Sequence, residues 1–309
     1  MKRVFIDGSA GTTGLRIHER LSGRPDIRLV TIPEQQKKDP AVKKQMLDHG
    51  CDVAILCLPD DASRQAVAMI ENPDVVVLDT STAHRTDPAF VYGFPELSAA
   101  QRAAVINAKR IAVPGCHASG FIALTYPLVE AGLISPAARL VCHSLTGYSG
   151  GGKKMIAQYE TDPRDVLLSA PRQYGIAQTH KHLKEMMAVP GLANAPVFCP
   201  IVGDFYSGME VTVALFGQDV NGSMDDVRRA YAAKYAGPIV HYRENADEDG
   251  FLSAGALSGL DRMEITVTGH DERMLLVARF DNLGKGASGA AVQCLNLVLG
   301  ADETTGLMI

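Results

Sequence analysis

The sequence predicts an α/β chain: a doubly wound domain with a parallel sheet, followed by an α+β domain with a mixed, largely antiparallel sheet. Three observations carry this prediction. Short apolar runs alternate with amphipathic runs as far as Pro114, a glycine-rich loop directly follows the first apolar run, and the alternation stops after Cys116. The 309 residues are enough for two domains, each able to bury a core without disulfides or structural metal.

In the first part of the chain, five apolar runs are typical of strands buried on both faces of a sheet. These runs are 4–6, 27–32, 53–58, 75–78 and 110–113. Four runs with helical spacing of apolar residues lie between them, at 13–21, 40–49, 62–70 and 97–107. This strict alternation predicts parallel strands joined by crossover helices.

After Cys116 the pattern changes. A helical run at 119–131 is followed by strand candidates with less regular helices between them, at 140–145, 197–202, 209–216, 239–242, 263–269 and 274–280. Strands that follow one another without a crossover helix favour antiparallel pairing. The last apolar helix, 289–299, is expected to return to the first domain. We therefore expect one domain from 1–115 and 285–309, and a second from 116–284.

The composition argues against several classes of protein. A net charge of −5 gives no basic surface for nucleic acid or anionic lipid, and no apolar stretch approaches the length of a membrane span. The six cysteines form no CxxC pair and lie mostly in or beside apolar runs. We expect reduced, mostly buried thiols in a cytoplasmic protein whose partners are small molecules, without nucleic acid or membrane.

A glycine-rich loop follows the first strand and opens the first helix: Gly8-Ser9-Ala10-Gly11-Thr12-Thr13-Gly14. Glycines let the backbone approach a pyrophosphate closely, and a helix N-terminus supplies N–H groups and a partial positive charge. The pattern departs from the dinucleotide fingerprint G-x-G-x-x-G, so a plain glycine-rich turn is the alternative. Its position between strand and helix favours a nucleotide site.

The end of the second strand bears on which nucleotide binds. Glu34 suits the ribose 2′-hydroxyl of NAD, whereas Lys37 and Lys38 suit the 2′-phosphate of NADP. Pro33 is expected to turn the chain before Glu34 reaches the ribose, which favours NADP. The alternative is that the lysines form an ordinary solvated face.

Cys116 differs from the other cysteines because it follows a Pro-Gly turn and precedes a helix. A helix N-terminus lowers the pKa of a thiol, so Cys116 is the best nucleophile candidate, with a buried small hydrophobe as the alternative. A thiolate beside a nicotinamide is typical of attack on an acyl carbon.

Acid/base chemistry has its candidates in His180 and His182. Glu185 lies within the same six residues and is expected to orient them and to contribute to substrate binding. The two histidines are also compatible with a metal site or a surface pair, but no further ligand at suitable spacing accompanies them, and we expect no metal.

Two segments are candidate anion sites. Ser81 and Arg85 follow the fourth strand, at the edge where open α/β sheets bind ligands. Gly150 and Lys153 belong to a flexible basic loop that opens a helix. The alternatives are a solvated arginine in the first segment and a surface turn in the second.

Together these motifs resemble a known family. The glycine loop, Pro114-Gly115-Cys116, the loop 146–152, the run from His180 to Glu185 and the segment 281–289 occur in the order found in N-acetyl-γ-glutamyl-phosphate reductase of the shorter bacterial form. This family is related to aspartate-semialdehyde dehydrogenase. Single motifs are shared with that relative, so the specificity lies in the whole set.

The resemblance implies NADPH-dependent reduction of N-acetylglutamyl 5-phosphate to the 5-semialdehyde with release of phosphate, a step of arginine biosynthesis. It implies a homodimer or homotetramer built through the second domain's sheet. The implied site residues are Cys116 as nucleophile, His180 or His182 as acid/base, Gly8, Gly11 and Gly14 at the cofactor phosphates, Arg85 at the substrate phosphate, and Asn282, Gly284 and Gly286 near the nicotinamide.

One departure from the family is local. The longer form has Tyr-Pro-Thr after its cysteine, where this chain has His117, Ala118 and Ser119. Other functions remain open at this point. Aspartate-semialdehyde dehydrogenase typically has Asn before its cysteine, where this chain has Gly115. A cysteine hydrolase and a redox-sensing nucleotide-binding protein are the remaining alternatives.

Overall fold

The computed structural model describes residues 1–37 and 39–309, which form two compact units. Unit 1 comprises Met1–Pro95, Ala100–Pro114 and Ala287–Leu307. Unit 2 comprises Glu96–Ala99, Gly115–Gly286 and Met308–Ile309. The predicted cofactor residue Lys38 lies outside the described residues.

The strands are β1 (Lys2–Asp7), β2 (Ile27–Val30), β3 (Val53–Leu56), β4 (Val76–Asp79), β5 (Val91–Tyr92), β6 (Arg110–Ala112), β7 (Val141–Gly147), β8 (Arg172–Gln173), β9 (Val197–Gly203), β10 (Met209–Phe216), β11 (Val240–Tyr242), β12 (Met263–His270) and β13 (Arg273–Phe280). The helices are α1 (Thr12–Leu21), α2 (Pro40–Gln45), α3 (Asp60–Ala68), α4 (Ala99–Asn107), α5 (Cys116–Glu130), α6 (Gly152–Glu160), α7 (Leu183–Ala188), α8 (Met224–Lys234) and α9 (Gly289–Leu299). Among the described residues, no helix is long and apolar enough to cross a membrane.

Unit 1 is built on a parallel sheet with the strand order β2-β1-β3-β4-β6-β5. Its central strands are apolar on both faces, because helices cover both sides of such a sheet. The largely apolar α9 supplies Ala291, Val292 and Leu295 to the core formed by β1, β3 and β4. The doubly wound α/β fold predicted for the first part of the chain is thereby confirmed.

Unit 2 is built on a mixed sheet with the order β11-β12-β13-β10-β7-β9-β8. Most neighbours are antiparallel, whereas β7 pairs in parallel with β9 and β11 with β12. Helix α5 packs so closely on this sheet that a Cβ on Gly120 would lie 2.5 Å from Cγ2 of Val211. The mixed, largely antiparallel sheet predicted for the second part is likewise confirmed.

The face of the unit 2 sheet turned away from α5 carries apolar side chains that remain accessible. Alternation along β7, β9 and β13 places them on one surface. Val197 is 54% exposed and Leu275 is 44% exposed. We call this surface the open face and define it by Val141, Leu145, Val197, Ile201 and Leu275.

Several predicted boundaries were wrong. The second strand was expected to reach residue 32 but ends at Val30, shortly before Pro33, which cannot donate a ladder hydrogen bond. The helix expected to begin at Ser119 begins at Cys116, because the Ser119 amide and hydroxyl both donate to the Gly115 carbonyl within that first turn. The two-residue strands β5 and β8 were not predicted, since such short runs carry no periodic signal.

Candidate active site

The glycine loop of unit 1 lies where the strand order reverses, between β1 and β3, which is where open α/β sheets bind ligands. Gly8 has a φ of +84°, and a Cβ there would lie 2.2 Å from the carbonyl oxygen of Cys57, just after β3. A Cβ on Gly14 would lie 2.5 Å from the Gly8 carbonyl oxygen. Both positions therefore require glycine.

The N-terminus of α1 meets the requirements of an anion site. Gly11 occupies its cap position, and among the described residues no side chain caps the helix and no carboxylate lies in its first turn. Its first N–H groups, together with the partial positive charge of the helix, point out of the loop. Ser9, Ala10, Thr12 and Thr13 complete a loop that fits the pyrophosphate of a dinucleotide.

The turn after β2 carries charge of both signs. Pro33 precedes a single helical turn, Glu34–Gln36. Lys37 Nζ lies 2.5 Å from Glu34 Oε2, and both side chains are exposed. The Glu34 carboxylate is thus offset by the neighbouring cation, and a 2′-phosphate at this turn would meet Lys37.

Ser81 and Arg85 lie at the carboxyl ends of the unit 1 strands, as expected, and they hold local structure there. The Ser81 amide and hydroxyl donate to the buried Asp79 carboxylate, at 2.9 and 2.7 Å. Arg85 donates from Nε to the Val113 carbonyl and from Nη2 to the Thr80 carbonyl, both at 2.9 Å. The guanidinium therefore links the ends of β4 and β6.

In unit 2, Cys116 is the first residue of α5 and is partly buried. Gly115 occupies the extended cap position, so the thiol sits at the positive end of the helix. Glu185 Oε2 accepts a hydrogen bond of 3.2 Å from the Gly115 amide. This buried carboxylate, predicted as a substrate ligand, fixes the backbone directly before Cys116, the predicted nucleophile.

The segment after β13 approaches the same cysteine. A Cβ on Gly286 would lie 2.9 Å from Cβ of Cys116, so a side chain there would collide with the nucleophile. A Cβ on Gly284 would lie 2.1 Å from the Leu260 carbonyl oxygen. Asn282 accepts a hydrogen bond from the Gly208 amide and donates one to Ser149, each at 3.0 Å.

The two predicted histidines lie together in unit 2, with ring centroids 4.7 Å apart. The His182 amide donates to Nδ1 of His180 at 3.2 Å. Nδ1 is therefore an acceptor, and the neutral His180 ring carries its hydrogen on Nε2. His182 is buried and immediately precedes α7, the helix that carries Glu185.

A third imidazole, His117, was not predicted as a site residue. Its buried ring lies 5.7 Å from the His180 ring and 5.6 Å from the His182 ring, measured between centroids. Its Nδ1 is 2.6 Å from Ser144 Oγ, and its Nε2 is 2.6 Å from the hydroxyl of Tyr174. Burial, with His180 as a smaller cause, lowers the pKa of His117 to about 3.

The sequence contained a signal for His117 but none for Ser144 or Tyr174. His117 is adjacent to Cys116 and occupies a position where the longer form of the resembled family differs. Ser144 and Tyr174 belong to no motif, and they lie 27 and 57 residues from the histidine that they contact. Only the sheet pairing of β7 and β8 with β9 brings their segments to the site.

Gly150 and Lys153 flank the start of α6, and both are exposed. The loop before them is tied down, because the Ser149 amide donates to the Tyr206 carbonyl at 3.0 Å. Lys153 lies in the first turn of a helix that, in the described structure, has no acidic residue there.

The remaining cysteines are mostly buried, as expected. Cys51, Cys142 and Cys294 are buried, whereas Cys57 and Cys199 are partly exposed at strand ends or on the sheet surface. Burial raises the pKa of Cys51 to about 12 and that of Cys57 to about 12. In the chain as described, no three His, Cys, Asp or Glu side chains are grouped so as to hold a metal ion.

Comparison with known families covers both units. Residues 3–105 match the semialdehyde dehydrogenase NAD binding domain, and residues 116–282 match the semialdehyde dehydrogenase dimerisation domain. Solved structures of aspartate semialdehyde dehydrogenase have the same fold. The enzyme II from Vibrio cholerae is 18% identical with a TM-score of 0.70, covering 97% of this chain and 99% of that one. The Candida albicans enzyme with NADP is 14% identical with a TM-score of 0.66, covering 97% and 99%.

Relatives with higher identity carry a different name. N-acetyl-gamma-glutamyl-phosphate reductase 2 from Nostoc sp. is 42% identical over 99% of both chains. The N-acetyl-gamma-glutamyl-phosphate reductase from Rhizobium meliloti is 44% identical over 97% of this chain and 99% of its own. Reductase 2 from Pseudomonas putida is 42% identical over 98% of both. The chain therefore belongs to the N-acetyl-gamma-glutamyl-phosphate reductase family, within the semialdehyde dehydrogenases.

Proposed function

We propose that this chain reduces N-acetyl-L-glutamyl 5-phosphate to N-acetyl-L-glutamate 5-semialdehyde with NADPH and releases phosphate, as a step of arginine biosynthesis. The observation that carries the proposal is the placement of Cys116 at the start of α5, on the unit that also holds His180, His182 and Glu185. The full-length relatives named for this activity support the choice of substrate.

The chemistry divides into two stages. The Cys116 thiolate attacks the acyl carbon, a C–S bond forms, the C–O bond to phosphate breaks, and phosphate leaves with that electron pair. The resulting thioester is reduced to a thiohemiacetal oxyanion, which collapses to the aldehyde and returns the thiolate. The helix N-terminus stabilises the negative sulfur at both ends of the cycle.

We assign different tasks to the two histidines. His180 offers Nε2–H as a hydrogen-bond donor to the oxyanion, because its Nδ1 already accepts the His182 amide. His182 is left as the group that takes the thiol proton before attack. Glu185 holds the Gly115 amide and so keeps Cys116 aligned with the substrate.

NADP fits the glycine loop of unit 1 and, when bound as NADPH, supplies the hydride that reduces the thioester. Gly8 and Gly14 keep the backbone open to the pyrophosphate, the N-terminal turn of α1 binds its charge, and Lys37 is placed to receive the 2′-phosphate. In unit 2, Gly286 keeps a side chain away from Cys116, and Gly284 lets the backbone pass close to the Leu260 carbonyl.

Two cations are proposed for the substrate phosphate, Arg85 and Lys153. Arg85 already donates to two backbone carbonyls. Its proposed contribution to phosphate binding is therefore both its positive charge and the position in which it holds the ends of β4 and β6. In the reverse reaction, loss of the true phosphate ligand raises the KM for phosphate about tenfold and leaves NADPH binding unchanged. Comparison of Arg85→Ala with Lys153→Ala identifies that ligand.

The experiment that tests the function is a reverse assay of two aldehydes against two cofactors in the presence of phosphate. We expect turnover of N-acetylglutamate semialdehyde with NADP, and its loss in Cys116→Ser with NADPH affinity retained. Preference for aspartate semialdehyde would assign the chain to the related enzyme. Ester cleavage without any nicotinamide would indicate a hydrolase.

We further propose a homodimer or homotetramer in the cytoplasm. The match to a dimerisation domain and the apolar open face support assembly through the unit 2 sheet. The need to keep Cys116 reduced supports a reducing compartment.

A further inference from the structure

Three polar side chains form a continuous hydrogen-bonded chain beside the nucleophile. Ser144 on β7 contacts Nδ1 of His117, and Nε2 of His117 contacts the Tyr174 hydroxyl, each at 2.6 Å. Ser144 and His117 are buried, and Tyr174 is partly exposed. The chain thus leads from a buried position on the unit 2 sheet to a partly exposed tyrosine.

The chain stays uncharged over the range in which enzymes work. Burial lowers the pKa of His117 to about 3, so its ring is neutral. Burial and the nearby charge of Cys116 raise the pKa of the Tyr174 hydroxyl, so it keeps its hydrogen. A neutral imidazole has one donor and one acceptor, and the chain can therefore only orient hydrogens.

The groups near Tyr174 indicate what its hydroxyl hydrogen points towards. The Tyr174 hydroxyl is hydrogen-bonded to His117, which directly follows Cys116 at the start of α5. The Tyr174 ring also lies 6.1 Å from the His180 ring, between centroids. The hydroxyl is therefore held by the sequence neighbour of Cys116, and the tyrosine ring lies close to the proposed acid/base pair.

We infer that His117 is a positioning residue that holds the Tyr174 hydroxyl beside Cys116, so that this O–H donates to the thiolate and then to the thiohemiacetal oxyanion. The inference rests on the proposed role of Cys116 as nucleophile. With Ser144 donating to Nδ1, His117 Nε2–H donates to the tyrosine oxygen, and the tyrosine hydrogen is left pointing at the negative sulfur. No proton is transferred between these side chains.

The test measures the thiolate directly. Alkylation of the Cys116 peptide by iodoacetamide is followed by mass spectrometry as a function of pH, which reports the pKa of this one thiol. Loss of a hydrogen bond to a charged group raises that pKa by about one to two units. We expect such a rise in Tyr174→Phe and in His117→Phe, and no further rise in the double variant.

Two further variants keep the result interpretable. Tyr242→Phe removes a tyrosine hydroxyl at β11, the opposite edge of the sheet from β8, and should leave the alkylation profile unchanged. His117→Gln keeps an N–H donor of similar reach, so the pKa of the Cys116 thiol should rise less in this variant than in His117→Phe. It takes the place of His117→Phe if that variant folds poorly. An unshifted profile in Tyr174→Phe, or a shift in the double variant equal to the sum of the two single shifts, would overturn the inference.

Turnover provides a second readout. We expect kcat to fall about tenfold in Tyr174→Phe with little change in KM, because the lost donor acts on charge that develops during reaction. The alkylation profile needs no substrate. A chain that failed to reduce the proposed acyl phosphate would therefore still reveal whether His117 and Tyr174 act on Cys116.

Discussion

At the scale of single residues, the site depends on what is absent from Gly286 as much as on the groups present. Its missing side chain leaves the space into which Cys116 projects, because a Cβ would come within 2.9 Å of the cysteine Cβ. The start of α5 and the segment after β13 can therefore approach this closely only because residue 286 is glycine.

We expect Gly286→Ala to reduce kcat at least tenfold, because either the cysteine or the backbone must move to relieve a clash of about 1–3 kcal/mol. NADPH affinity, measured by fluorescence titration, should change less. Gly255→Ala is the matched control, since its new Cβ meets its nearest atom at an ordinary 3.6 Å. Normal turnover in Gly286→Ala would contradict the collision.

The two histidines can be distinguished by their pH profiles. Glutamine retains an N–H donor but cannot take up a proton, so His180→Gln should keep the acid limb of the kcat/KM profile with a modest loss of rate. His182→Gln should abolish that limb and lower kcat/KM by about 10²-fold or more. The reverse pattern would exchange the two assignments.

Residue motifs predicted part of this site and could not predict the rest. Cys116 and the pair His180 and His182 carry local signals, a Pro-Gly turn at a helix start and two imidazoles close in sequence. Tyr174 and Ser144 reach the site through pairing of distant strands, which no window of sequence contains. Arg85 carried a motif, yet its bonds to two backbone carbonyls depend on where β4 and β6 end.

At the scale of elements, β1, the glycine loop and α1 together form the proposed cofactor site. Its backbone must turn at Gly8 and pass close to itself at Gly14. The sequence predicted the glycine loop because the requirement for glycine is local. It did not predict where α5 begins, because Ser119 is typical of a helix cap but bonds back to Gly115.

Gly14→Ala should weaken NADPH binding at least tenfold, because its Cβ would lie 2.5 Å from the Gly8 carbonyl oxygen and displace the loop. Isothermal titration gives the affinity, and the melting temperature reports the fold. Gly237→Ala, where the nearest atom would lie at 3.8 Å, serves as the control. An unchanged affinity for NADPH would show that the glycine loop does not bind the cofactor.

Strands β12 and β13 share a buried ion pair that makes stability depend on pH. Burial raises the pKa of Glu264, but hydrogen bonds from His241, Arg279 and Arg243 outweigh it and hold the value at about 2. Arg279 donates to Glu264 from Nη2 at 2.6 Å and is itself buried. Because the folded pKa lies below the unfolded one, this stabilisation is complete above about pH 4.5 and is lost as pH falls towards 2.

Glu264→Gln should lower the free energy of unfolding by about 3 kcal/mol at pH 7, since the buried Arg279 keeps only the half-exposed Glu248 as a charge partner. The difference from the parent protein should shrink between pH 4.5 and 2 in urea titrations. Glu71→Gln, which breaks an exposed pair with Lys44, should produce no such pH dependence. A difference that persists at pH 2 would contradict the linkage.

At the scale of the whole molecule, the open face of unit 2 is the surface that remains to be covered. Composition alone predicted no such surface, because scattered apolar residues are normal on proteins. Its identity follows from sheet register, which places alternate residues of several strands on one side.

Replacing both Val197 and Leu275 by lysine should dissociate the assembly, because four or more buried cations would face one another across a symmetric contact. Sedimentation velocity measures the change, with a loss of at least tenfold in association. Val166→Lys, at an exposed position outside the sheet, should leave the assembly intact. If the double variant kept the parent's sedimentation coefficient, the open face would not be the subunit interface.

The approach of Gly286 to Cys116 also constrains how this architecture can be recombined. The main segment of unit 2 runs from Gly115 to Gly286, so both ends of this segment lie beside Cys116. An exchange of this segment between related proteins would place both joints next to the reacting sulfur. We therefore expect insertions at either end of this segment to be tolerated less well than insertions in an exposed surface loop.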